Sequence, residues 1–171
     1  MNNLLIRNII RFILLVLLQV LVLNNVQLHQ LVTPFIYILF ILLIPIGTPR
    51  WLVLVSAFVL GWTVDIFSDA GGIHAAASVL IAYLRPVVQS TISPHGGYDS
   101  QQVPSLGQMG FTWFTIHTVI LVSIWTLTYH IIEVFTFTSL WRTLIKILIS
   151  TAITLLLIYI HQYLFYKKQY K

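Results

Sequence analysis

The chain has 171 residues, 58% hydrophobic and 8% charged, with a mean hydropathy of +0.94, whereas soluble domains carry about 25% charged residues. So apolar a surface excludes a soluble globular domain and predicts one integral membrane domain over 1–171. The formal charge of +5 does not form a patch, which argues against nucleic-acid binding, and the lack of cysteine excludes disulfides and thiolate chemistry.

Hydropathy predicts an all-α membrane protein, a bundle of six transmembrane helices at about 4–23, 31–46, 51–67, 73–90, 111–132 and 141–165. The first run has the ~20 residues that a helix needs to cross the hydrocarbon. It is too long for a signal peptide, and no small-residue cleavage site follows it. Asn24, Asn25, Gln27, His29 and Gln30 make a polar loop. The second run starts with Pro34 in its first turn, where the missing N–H is harmless, and closes at Pro45. The third run follows the turn Gly47, Thr48, Pro49, Arg50 and opens on Trp51, an aromatic suited to the membrane interface.

The fourth run contains Arg85 and Pro86. Arg85 is expected to snorkel to the nearest aqueous face, and Pro86 to end or kink the helix. Residues 93–108 are the longest polar segment and read as a flexible loop. The fifth run leads into a turn from Glu133 to Leu140, and Lys167, Lys168 and Lys171 follow the sixth.

Six spans put both termini on one side. With the amino end inside, the inner face holds Arg7, Arg11, Arg50, Arg85, Lys167, Lys168 and Lys171, and the outer face holds Arg142 and Lys146. The excess of Lys and Arg inside makes both termini cytoplasmic. The turn between Asp65 and His74 then faces outward, and 93–108 faces the cytoplasm.

The densest polar group in the chain is at 61–83. Gly61, Asp65 and Ser68 lie at i, i+4 and i+7 and share one helix face. Ala57 extends that face with small-xxx-small spacing, which permits close helix approach in a membrane. Beyond the turn, Ala75, Ser78 and Ala82 form a second narrow face. So short a hairpin predicts that the two faces are apposed.

Asp65 sits near a helix C-terminus, where the macrodipole disfavours it. It therefore needs a partner: backbone N–H groups of the next helix, Ser68, His74 or a cation. Three readings stay open. Asp65 and Asp69 are turn residues, with Asp69 or Ser68 capping the next helix; or the group is a polar clamp that shapes a partner surface; or Asp65 is a catalytic or ion-carrying carboxylate.

The histidines His29, His74, His95, His117, His130 and His161 are scattered, and no metal or nucleophile motif occurs. No metal, cofactor or catalytic residue is expected. His130 and Glu133 share a face as interface residues, within reach of Asp69 or of Arg142 and Lys146. Trp51, Trp62, Trp113, Trp125, Trp141 and the tyrosines near Tyr163 read as interface anchors and packing.

Gly61, Asp65, Ser68, Gly72, Ala75, Ala82 and Tyr83, with Trp51 at the start of the third run, resemble the signature of the MreD family of rod-shape-determining inner-membrane proteins. The resemblance covers about 23 residues and otherwise rests on chain length and helix number. It implies a non-enzymatic scaffold of the bacterial inner membrane that binds an MreC-type bitopic protein. Through that partner the family is linked to MreB, RodA and a class B penicillin-binding protein in lateral peptidoglycan synthesis. The family's helical arrangement is similar to that of the substrate-binding subunits of energy-coupling-factor transporters. A vitamin-binding subunit, with Asp65, His74, His130 and Glu133 lining a pocket, is the alternative this implies.

Overall fold

The computed structural model describes residues 2–23, 34–134 and 140–165, excepting the side chains of 2–5, Arg7 and Leu140. The expected polar loop at 24–30, the start of the second run, most of the turn after Glu133, and Lys167, Lys168 and Lys171 lie outside the described residues. The elements are α1 (Asn2–Leu17) continuing as a π-helical turn (Leu18–Leu23), α2 (Ile38–Leu42), α3 (Arg50–Ser68), α4 (Ile73–Thr91), α5 (Leu106–Met109), α6 (Phe111–Val134) and α7 (Leu140–Leu164). All are helical; no strand occurs among the described residues.

Among the described residues, three helices are long and apolar enough to cross a membrane: Arg50–Ser68, Phe111–Val134 and Trp141–Leu164. Their outer faces are apolar, with Val55, Phe58, Trp62 and Ile66 exposed on α3 and Leu148, Leu156 and Ile160 on α7. In water such a surface would drive association, whereas in lipid it is solvated. Trp51, Trp62, Trp141 and Tyr163 are exposed, whereas Trp125 is wholly buried.

The helix expected at 31–46 is corrected. Among its described residues only five, α2, are helical, about 8 Å at ~1.5 Å per residue, too short to span. The segment Phe35 to Ile44 is instead the centre of the molecule, with every residue buried. It is apolar on all sides because it is surrounded by protein. Irregular backbone is tolerated at membrane depth only when buried in protein and fully hydrogen-bonded.

Polar side chains of the surrounding helices meet that requirement at both ends. At the start, Gln19 donates from Nε2 to Pro34 O at 2.9 Å and accepts the Ile36 N–H at 3.1 Å, while Thr154 Oγ1 of α7 accepts the Phe35 N–H at 3.1 Å. At the finish, Arg11 Nη1 donates to Leu43 O at 3.4 Å and Arg85 Nη2 donates to Ile44 O. Acceptors thus stand at the N–H end and cations at the carbonyl end, the arrangement that the orphan groups and dipole of a short helix favour.

Arg85 is accordingly a correction too. It is 2% exposed and faces the interior rather than snorkelling, because Ile44 O and the Gln89 amide receive it. With the Gln89 oxygen facing Arg85, it accepts from Nε at 3.2 Å and Nη2 at 3.3 Å. His117 Nε2 lies 3.5 Å from the same amide, and Trp113 stacks on the His117 ring at 4.8 Å. Pro86 does not end α4, which continues to Thr91.

The 93–108 segment is pinned rather than flexible, a further correction. Ile46 N–H donates to Gln102 O and Gly47 N–H to Ser100 O, both at 3.0 Å. Tyr98 Oη donates to Gln89 O at 2.6 Å and accepts Trp113 Nε1–H at 3.0 Å. Leu106 N–H reaches Gln162 Oε1 of α7 at 3.4 Å. These bonds, with buried Val103 and Leu106, tie the segment to α2's exit, α4, α6 and α7.

α4 packs between α3 and α6, and α7 packs on α6. The start of α1 and the end of α7 share the end of the bundle where Arg85 and the 93–108 segment lie. The hairpin at Asp65 is at the other end.

Candidate functional site: a carboxylate clamp between two helices

α3 ends because Asp69 takes a left-handed conformation, φ 50°, which aspartate tolerates better than most residues. Its N–H returns to Asp65 O. Gly71 and Gly72 continue the turn, and Gly72 is the N-cap of α4 at φ 96°, a backbone angle that needs glycine. A glycine N-cap has no side-chain oxygen for the free N–H groups of the first turn, which elsewhere a Ser, Thr, Asp or Asn would supply.

Asp65 supplies it from the neighbouring helix. Its Oδ1 accepts the His74 N–H at 3.1 Å and its Oδ2 the Ala75 N–H at 2.8 Å. The carboxylate is 5% exposed. It sits at the C-terminal end of α3, where the dipole disfavours it, but points at the positive N-terminal end of α4, where the dipole favours it. Of the partners open in the sequence, backbone N–H groups hold it. The capping oxygens come from Asp65, four residues before Asp69.

Gly61 lets the two helices close far enough for this bond. A Cβ at Gly61 would lie 2.5 Å from Ala75 Cα, 2.6 Å from Ala75 N and 2.6 Å from His74 O. All three are backbone atoms that cannot rotate away. The small residue and the carboxylate therefore act together: one brings the α4 start within reach, the other bonds it.

The remaining predicted residues divide. Ala57 is fully buried and Ala75 nearly so, in keeping with close packing. Ser78 turns from α3: its Oγ accepts Trp125 Nε1–H of α6 at 3.3 Å and lies beside the Tyr37 hydroxyl. His74 uses its ring separately from its backbone, with Nδ1 2.7 Å from Tyr37 Oη. Ser68 is half-buried, and Ala82 is buried. Tyr83 is 68% exposed and stands outside the clamp.

Tyr37, Trp125, Tyr129 and Phe35 complete the site, and the sequence reading did not include them in it. Trp125 stacks on Tyr129 at 5.3 Å and on His74 at 5.8 Å, and Phe35 lies 4.4 Å from Trp125. The available signal was an aromatic at 125 and at 129, one turn apart on an apolar helix. His130, expected at a solvated interface, is 2% exposed because Phe35 and Tyr129 cover the ring; its Nδ1 lies 2.8 Å from Glu133 Oε2. No group of three metal-ligating side chains occurs among the described residues. In comparisons with protein-family models, curated proteins and solved structures, nothing matches this chain.

Proposed function

We propose that the chain is a non-enzymatic, multi-pass scaffold of the bacterial inner membrane, of the MreD type that the 61–83 resemblance implies. In this reading the hairpin of α3 and α4 presents a fixed surface to the single transmembrane helix of an MreC-type partner. That partner links it to MreB, RodA and a class B penicillin-binding protein in lateral wall synthesis.

The observation that carries the proposal is the engagement of Asp65. Each carboxylate oxygen already accepts a backbone N–H, and Gly61 is closed against Ala75. A carboxylate held this way fastens two helices and is poorly placed to accept a proton from a substrate. Association within lipid rests on close packing and a few interhelical hydrogen bonds, so a rigid hairpin is what such a scaffold needs.

The test is co-expression with an MreC-type protein in rod-shaped cells. Asp65→Leu and Gly61→Leu are expected to lose partner co-purification and rod shape while still reaching the membrane. Retention of both properties in both variants would refute the proposal. A vitamin that raises the melting temperature of the purified protein at one equivalent would refute it differently, because a specific ligand stabilises by mass action.

A further inference from the structure

At the end of the bundle opposite the clamp, a groove of ≈ 220 Å³ is lined by Arg50, Ala82, Tyr83, Pro86, Val87 and Ser90. The five α4 residues fall at i, i+1, i+4, i+5 and i+8 and form one stripe of that helix. Arg50 opens α3 and is exposed. Among the described residues it makes no ion pair; the one ion pair found there joins His130 and Glu133.

The opposite wall has an unusual polar feature. Pro86 lies inside α4 and has no N–H, so the Ala82 carbonyl, four residues earlier, is denied its helical donor. A carbonyl left without its helical donor has an acceptor free for a donor from outside the helix. Ser90, which is exposed, donates from Oγ to Val87 O at 2.8 Å and keeps its lone pairs as further acceptors. One cation and a set of acceptors thus share a groove whose other walls, Pro86, Val87 and Tyr83, are apolar. Trp51, next to Arg50, is 66% exposed and marks the interfacial level.

We infer that this groove binds an anionic phospholipid with a hydroxyl-bearing headgroup. The phosphodiester pairs with Arg50, a headgroup hydroxyl donates to the Ala82 carbonyl, and an acyl chain lies along Pro86 and Val87. Charge complementarity requires the anion, the undonated carbonyl requires the hydroxyl, and the apolar wall requires the chain. The inference does not depend on the scaffold reading.

The test uses the full chain in detergent, with native mass spectrometry during titration of phosphatidylglycerol, phosphatidylethanolamine or inorganic phosphate. Phosphatidylglycerol is expected to bind in preference to phosphatidylethanolamine. Arg50→Gln should weaken it about fivefold, the effect of ~1 kcal/mol per basic residue at an anionic surface. Arg50→Lys should keep most of the affinity. Pro86→Ala, which returns a donor to Ala82, should reduce the preference for phosphatidylglycerol without unfolding α4. Unchanged binding in Arg50→Gln overturns the inference, as does equal competition by inorganic phosphate. A photo-crosslinker at Val87 that captures protein instead of lipid in native membranes also overturns it, since the groove would then seat a partner helix.

Discussion

Replacing Asp65 tests the clamp where its energy is largest. Asp65→Ala removes both acceptor bonds at once and leaves the His74 and Ala75 N–H groups without a partner, because Gly72 offers no side-chain oxygen. Hydrogen bonds to a charged group contribute ~1.5–3 kcal/mol each, and an unsatisfied buried donor costs ~1–3 kcal/mol. The desolvation of a carboxylate that is 5% exposed offsets part of this. The net loss expected is about 2–4 kcal/mol, at or above the upper end of ordinary N-cap substitutions. Asp65→Asn keeps one acceptor oxygen, turns an amide N–H₂ toward an N–H, and loses the charge–dipole attraction; about 1–2 kcal/mol is expected. The assay is reversible unfolding in mixed micelles followed by tryptophan fluorescence, since Trp125 stacks on His74. Amide exchange at His74 and Ala75 should accelerate in the same order, Asp slower than Asn slower than Ala. If Asp65→Ala unfolds within ~0.5 kcal/mol of the parent chain, the carboxylate does not hold the hairpin.

Gly61→Ala should destabilise by about 1–3 kcal/mol, as overpacked sites do, even though alanine is the better helix former; an unchanged melting midpoint would show room between α3 and α4 that the 2.5 Å approach denies. Gln19→Leu leaves the Pro34 carbonyl and Ile36 N–H unpaired and should cost about 2–4 kcal/mol, measured by the same unfolding assay; no loss would mean that the buried segment is bonded some other way. Tyr98→Phe breaks the bonds to Gln89 and Trp113. It should raise amide exchange and protease cutting in 93–104 while moving global stability by only ~1 kcal/mol, and uniform exchange in both proteins would contradict the pinned loop. Gly47→Ala places a Cβ 2.6 Å from Ser100 O; the amides of Ile46, Gly47 and Gln102 should exchange faster together, and unaltered exchange at all three would remove that contact from the account.

Some of the site was legible in the chain before folding. Helical spacing alone puts Gly61 and Asp65 on one face, and a two-glycine turn after Asp69 brings the next helix alongside. That is local geometry, carried by the 3.6-residue period and by backbone angles that glycine allows. Even here the partner of Asp65 was not legible, because backbone N–H groups have no letter in a sequence. Tyr37, more than twenty residues upstream, joins the site through a tertiary contact to His74 that no short-range pattern encodes.

The reading of 31–46 shows where periodicity stops being informative. A run apolar on every side suits a lipid-exposed helix and a segment enclosed by protein equally well. The residues that decide between them are Gln19, Thr154, Arg11 and Arg85, each a polar group on another helix. Hydropathy treats them as blemishes or as interface charges, yet their hydrogen bonds are what allow a broken backbone to lie at the centre. The same holds for 93–108, whose composition is that of a loose loop and whose hydrogen bonds go to the turn after α2 and to α4, α6 and α7.

Composition and apolar run length by themselves determined that this chain belongs in lipid, and the spacing around Asp65 determined that two helices meet in a narrow hairpin. Both follow from transfer free energy and helical repeat, which depend on neighbours in sequence. Only the tertiary structure decided that Arg85 points inward, that the second run is interior rather than spanning, and that Asp65 caps the helix it faces. Those outcomes depend on which unpaired backbone groups come within about 3 Å of which side chains, and distance in space is a property of the folded chain alone.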